Sequence, residues 1–266
     1  MAVVIPLATA SGCDDLQPAS KTTADNNIPI DVSNENQTIV QGEVKELFGK
    51  RVTNWAVLDP KTGKLLAFKW TLPVPTVQNV PSNVQSDVRF WMKVPEEFTK
   101  QTVFTGMSFD FLPHGHAPVG VYDMPHWEFH FITFTQAESV GIDCKDPTMP
   151  PDRLLPAAPG WYVLPPPDNC VPGMGLHAVW SGLPELNSER FTKSFLPDYY
   201  HGKLASLEAK AASEYIVKRE SFSLPTPKSP APAKSLLPKN LVVTWDQATD
   251  THIWALTEFD DATVEN

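Results

Sequence analysis

Five of the seven histidines fall between residues 114 and 177, and four of them lie in the 18-residue segment PHGHAPVGVYDMPHWEFH. Imidazole is both a common transition-metal ligand and a proton carrier near neutral pH, so this clustering points to metal or acid–base chemistry. The segment joins a loop pair, His114 and His116, flanked by Pro113 and Pro118, to the run His126-Trp127-Glu128-Phe129-His130. Aromatic and β-branched residues continue through Thr135, which favours a strand. On a strand, His126, Glu128 and His130 share one face, and Trp127, Phe129 and Phe131 share the other. An aromatic trio behind a polar trio fits a strand whose polar face lines a cavity.

Strand geometry restrains any metal site built on this run. Residues two apart lie about 6.6 Å from each other and residues four apart about 13 Å, whereas imidazole and carboxylate bind metal at about 2.0–2.2 Å. A mononuclear site therefore draws Glu128 with His126 or His130 from the strand, His116 from the preceding loop and His177 from a distant segment. The predicted ligands are His116, His126, His130 and His177, with Glu128 as a further ligand or as the catalytic general base. Nitrogen and carboxylate donors without thiolate suit a divalent transition metal, zinc first, with iron, manganese or copper as alternatives. An ion with a free position would support a metal-dependent hydrolase or lyase; a closed shell would support a non-catalytic metal-binding or structural protein. Without an ion, the same histidines would form a buried hydrogen-bonded network or a surface belt. Asp110 and Asp123 flank the segment as acceptors for imidazole N–H groups. His201, before Gly202, reads as a turn residue, and His252 as part of a terminal hairpin. No Gly-rich phosphate loop, nucleophile elbow or cupin-like spacing of a glutamate after the His-x-His pair is present.

These side chains need a β scaffold. Prolines number 27 against 13 glycines, an excess that argues against a helix bundle, since an interior proline costs a helix roughly 3 kcal/mol. Fourteen Phe, eight Trp and five Tyr supply apolar area for a core. Short β-rich runs recur at TIVQGEV, NWAVLD, LLAFKWTL, VRFWMKV, FTGMSFDFL and HWEFHFITFT, with a hairpin turn at Pro60 to Lys64 and a short helix between Thr135 and Ile142. Such text resumes at Leu176 to Val179, Phe195 to Glu208 and Tyr215 to Val217, and ends in the hairpin of LVVTW and HIWAL. The expected fold is mainly β, a barrel-like or sandwich arrangement of antiparallel sheet with long proline-rich loops and one or two short helices. The expected organisation is a leader over 1–13, a tether over 14–36, a metal-binding β domain over 37–217, a proline-rich linker over 218–240, and a C-terminal hairpin over 241–266 packed on the main domain.

Composition narrows location and partners. A formal charge of -10 with no run of Lys and Arg excludes a phosphate-backbone footprint, hence nucleic acid. The opening MAVVIPLATASGC is apolar, ends in small residues before Cys13 and turns abruptly polar, as at the end of a lipoprotein signal with Cys13 lipidated. Membrane association would then be by lipid anchor only. Cys144 and Cys170 remain as a pair bracketing the most proline-dense stretch, and a disulfide between them requires an oxidising compartment. Both readings place the protein outside the cytoplasm, in the periplasm or cell envelope.

The chain also resembles a family of bacterial secreted or lipoprotein β domains of unknown function, typified by a ring-forming Thermus protein. The resemblance rests on Gly115-His116-Ala117-Pro118, Gly120-Val121-Tyr122, Pro125-His126-Trp127-Glu128-Phe129-His130-Phe131 and Met174-Gly175-Leu176-His177. It continues through Pro184-Glu185, Phe191-Thr192 and Tyr200-His201-Gly202-Lys203 to Glu208, covering most of 38–217. It implies a β-rich envelope protein, a possible homo-oligomer, with no established reaction or small-molecule ligand. The family has an aspartate at the Glu128 position, so a carboxylate is kept; His114 lies outside the pattern. Glu208 stands at the glutamate of a family Glu-Pro-Met run, from which Ala209-Lys210 departs, and is a further candidate ligand.

Overall fold

The computed structural model describes residues 36–144, 161–163, 170–201, 203–227 and 235–261. The leader with Cys13, the tether apart from Asn36, most of the proline-dense run after Asp146 and residues 228–234 lie outside the described residues. The chain begins with an antiparallel meander of β1 (Thr38–Leu47), β2 (Lys50–Leu58) and β3 (Leu65–Pro73). The β2–β3 turn forms where Pro60 to Lys64 predicted it, closed by backbone bonds and by Asp59 Oδ1 accepting the Lys61 and Thr62 amides at 2.9 and 2.8 Å. Next come α1 (Val74–Gln78), β4 (Val88–Met92), α2 (Glu96–Gln101), β5 (Gly106–Leu112), β6 (His126–Ile132) and α3 (Gln136–Ser139). They are followed by β7 (Trp161–Val163), β8 (Cys170–Val171), β9 (Gly175–Trp180), a 3-10 turn over Pro184–Asn187, β10 (Lys193–Tyr200) and β11 (Lys203–Ala212). The chain closes with α4 (Ser213–Ile216), β12 (Phe222–Pro225), β13 (Leu236–Leu237), β14 (Asn240–Asp246), β15 (Thr251–Thr257) and β16 (Asp260–Asp261).

The fold is mainly β, with two antiparallel sheets of which one curls into a half-barrel. The first sheet has the order β1-β2-β3-β15-β14-β12, and the second β4-β5-β6-β11-β10-β9-β7. Alternation explains their stacking. Phe68, Trp70 and Leu72 on β3 and Trp254 and Leu256 on β15 point to the same core as Phe109 on β5 and Trp127, Phe129 and Phe131 on β6. Ring contacts cross between the sheets: Trp70 to Phe131 at 4.9 Å, Trp254 to Phe129 at 4.7 Å and Phe68 to Phe131 at 6.0 Å. Aromatic pairs in such offset and edge-on geometries add to the free energy of burial itself.

Several boundaries differ from expectation. Four short helices form among the described residues where one or two were expected; α3 falls within Thr135 to Ile142 and starts with a Thr135/Glu138 capping box. Tyr215 to Val217 belongs to α4 and its C-cap, because the chain leaves the sheet at Ala212 and the Ser213 amide donates to the Pro125 carbonyl. The segment 218–240 is more than a linker: β12 pairs with β14, and β13 with β16. The C-terminal hairpin is an integral part of the first sheet, since β15 pairs with β3 from Thr251 opposite Pro73 to Thr257 opposite Ala67.

Candidate metal centre

The register of the second sheet builds the site. Glu128 on β6 lies between Asp110 on β5 and Lys210 on β11, and His130 lies between Ser108 and Glu208. Asp198 on β10 pairs with Ser206 on one side and with His177 on β9 on the other. Because side chains alternate, all of these project from the face opposite the aromatic core. That face is nonetheless buried: His126, Glu128, His130, His177, Asp198, Glu208 and Lys210 are each at most 5% exposed. Tyr122, Phe191, Ala212 and Tyr215 form a small apolar cluster that covers one end of it.

Three groups of side chains on this face, within the described residues, could hold a metal ion. The first joins His130, His177, Asp198 and Glu208. His177 Nε2 lies 3.3 Å from Glu208 Oε2 and 3.6 Å from Asp198 Oδ1, and His130 Nε2 lies 4.0 Å from Glu208 Oε2. Ligands about 2.1 Å from a tetrahedral ion stand about 3.4 Å apart, so these four atoms outline a coordination shell. His130 Nε2 and Asp198 Oδ1 have no hydrogen-bond partner among the described residues. Leaving such groups buried and unsatisfied costs about 1–3 kcal/mol each, more for charged ones. Asp110 supports this group from outside: its Oδ2 accepts from Arg89 Nε at 2.8 Å and lies 3.4 Å from His130 Nδ1.

The second group joins His116, His126 and Glu128; both Nε2 atoms lie 3.0 Å from Glu128 Oε1. His116 is delivered by a turn in which Gly115 adopts φ +64°, and a Cβ there would sit 1.9 Å from the Tyr122 carbonyl oxygen, so only glycine fits. The third group, Asp110, Glu128 and His130, overlaps the other two. Glu128 connects them, since its Oε2 lies 3.8 Å from His130 Nε2.

The four predicted histidines thus divide, His130 and His177 in one group and His116 and His126 in the other. His126 and His130 sit two steps apart on one face of an extended strand, too far for a shared mononuclear shell. His114 is exposed and belongs to none of the three groups. His201 is at the β10–β11 turn with φ +49°, and His252 on β15 lies 2.8 Å from the Ile216 carbonyl through Nε2, away from this face. Asp198 lies inside the β-rich run Phe195 to Glu208, but nothing in that run by itself marks it as a ligand. Lys210 was noted only as a departure from the family text. The available signal was the run Leu204 to Ala212, where Ser206, Glu208 and Lys210 alternate with Leu207, Ala209 and Ala211.

Electrostatics on this face are strongly coupled. Four carboxylates, Asp110, Glu128, Asp198 and Glu208, face two fixed cations, Arg89 and Lys210. Burial alone would depress the His177 imidazole, but Asp198 and Glu208 push it up to about 9. Burial lifts the Asp198 carboxyl to about 6 against the pull of His177. Burial and the Glu128 charge act to raise Glu208, yet Lys210 and His177 bring it down to about 2. Glu128 is likewise raised by burial but held well below the usual carboxylate range by His116, His126 and Lys210. A carboxylate held in its charged form by these neighbours is available as an anionic ligand.

A cleft of about 250 Å³ reaches this face, lined among others by Arg89, Asp110, His116, Glu128, Met174 and His177. Beside it, Cys144 and Cys170 form a disulfide with S–S 2.10 Å, and β8 carries Cys170 alongside β9, the strand of His177. No family model, curated protein or solved structure matches the chain, so the site is read from its own geometry.

Proposed function

We propose that this protein binds one divalent transition metal through His130, His177, Asp198 and Glu208, and that it is a metal-dependent hydrolase or lyase acting on a small molecule in the adjoining cleft. The observation that carries the reading is the convergence of four buried side chains whose donor atoms all lie within 4.8 Å of one another, with His130 Nε2, Asp198 Oδ1 and Glu208 Oε2 lacking any hydrogen-bond partner among the described residues. Two imidazoles and two carboxylates balance a dication and suit zinc first, with manganese or iron as close competitors. An ion there supplies Lewis-acid polarisation of a substrate oxygen or a water of lowered pKa. Around it, Asp110 orients His130, Lys210 anchors Glu208 at 2.8 Å, and the cleft gives access past His177 and Glu128. The Cys144–Cys170 disulfide supports an extracytoplasmic location, and lipidation at Cys13 would tether the protein at the envelope.

Metal analysis of untagged protein, as purified and after reconstitution, is the direct test. We expect at least one equivalent in the wild type, and its loss from the first group in Asp198→Asn/Glu208→Gln; less than about 0.1 equivalent of any transition metal sinks the proposal. Binding of azide or imidazole to the Co²⁺ form separates the two functional classes. A spectral shift indicates an open position and a reactive centre, and an inert spectrum a closed structural one.

A further inference from the structure

The pairing of His116 and His126 on one carboxylate oxygen is not explained by a single ion at the first group. His126 Nδ1 lies 2.7 Å from the Met124 carbonyl oxygen, and His116 Nδ1 meets the Ala117 carbonyl. A carbonyl only accepts, so each Nδ1 carries its ring's proton in the neutral tautomer. Both Nε2 atoms then present lone pairs to Glu128 Oε1, at 3.0 Å each. Three electron-rich atoms at that spacing repel one another unless protons or a shared cation stand between them, and one divalent ion meets all three at once. His126 is fully buried, and Lys210 Nζ stands 3.8 Å from the same oxygen. Backbone carbonyls that fix Nδ1–H and leave Nε2 free are also how proteins orient metal-ligating histidines.

We infer that His116, His126 and Glu128 form a second divalent-metal position, and that the Glu128 carboxylate bridges the two, Oε1 to this ion and Oε2 toward the ion at His130. The inference rests on the reading of the first group as a metal site and extends it to a two-metal centre. The bridge follows from the two faces of one carboxylate: Oε1 meets His116 and His126, while Oε2 lies 3.8 Å from His130 Nε2. The cleft is lined by His116, Glu128 and His177, so both positions open on the same space. Paired ions facing one cleft clamp an oxygen-rich substrate from two sides.

Titration of metal-free protein with Zn²⁺, and with Mn²⁺ followed by electron paramagnetic resonance, tests this. The expected result is two equivalents in the wild type, with a Mn²⁺ signal broadened by exchange. His116→Gln should bind one equivalent and give an uncoupled signal. His116 is partly exposed and His126 fully buried, so replacing His116 disturbs the packing less. Glu128→Gln should abolish the coupling. One equivalent in the wild type, undiminished in His116→Gln, overturns the second position and leaves the first standing. No bound metal at all overturns both. Nitrogen chemical shifts showing both rings as imidazolium in fully loaded protein near neutral pH also overturn the second position.

Discussion

Lys210 shows how tightly single residues on this face are tied together. Its ammonium lies 2.8 Å from Glu208, 3.8 Å from Glu128 and 4.2 Å from the centre of the Tyr122 ring, and it is 1% exposed. Burial works against its charge, but Glu208 and Glu128 raise its pKa well above the ordinary lysine value. A buried charge pair adds little net stability over an apolar substitute, yet removing one partner leaves the other charge uncompensated. Lys210→Met should therefore destabilise the metal-free protein by about 3 kcal/mol, read by urea denaturation. Saturating Zn²⁺ should recover part of that loss, because binding to the folded state restores positive charge beside Glu208. An equal loss with and without Zn²⁺ would separate Lys210 from the metal site.

At the scale of the element, β6 divides two tasks between its faces. Trp127, Phe129 and Phe131 pack in the core between the two sheets, while His126, Glu128 and His130 face the side-chain groups that could hold a metal ion. Phe129 is fully buried against Phe109, Trp70 and Trp254. Phe129→Ala should cost about 3–5 kcal/mol of folding stability. It should leave metal stoichiometry unchanged at low temperature, where the fold survives, since the truncated ring never meets the polar face. Loss of metal from a variant shown to be folded would mean that the aromatic face also sets the register of the ligands.

In the molecule as a whole, the distant segments that supply His177, Asp198 and Glu208 must be held against β6. Strand pairing does most of this, through β11 on β6, β10 on β11 and β9 on β10. The Cys144–Cys170 disulfide, closing 26 residues of separation, ties the chain after α3 to β8 beside β9. Cys144→Ser/Cys170→Ser should lower stability by about 3.5 kcal/mol in the chain-entropy model, measured by thermal or urea unfolding under non-reducing conditions. Intact mass should rise by about 2 Da when the wild type is reduced. An unchanged mass would show free thiols.

The sequence alone determined the β class, the strand of His126 to His130 with its two faces, the β2–β3 turn and the histidine candidates. Each depends on local alternation, turn residues or composition, which operate over a few positions. Its strand spacing also indicated that His126 and His130 would struggle to share one ion. Tertiary structure decided which candidate ligands meet. Asp198 and Glu208 reach His130 and His177 only through the pairing of β6, β11, β10 and β9, and a one-residue slip in any of those registers would turn the carboxylates into the aromatic core. The place of β14 and β15 beside β3, and of β12 at the edge of that sheet, was likewise hidden, because long-range pairing leaves no signature in either partner's own text.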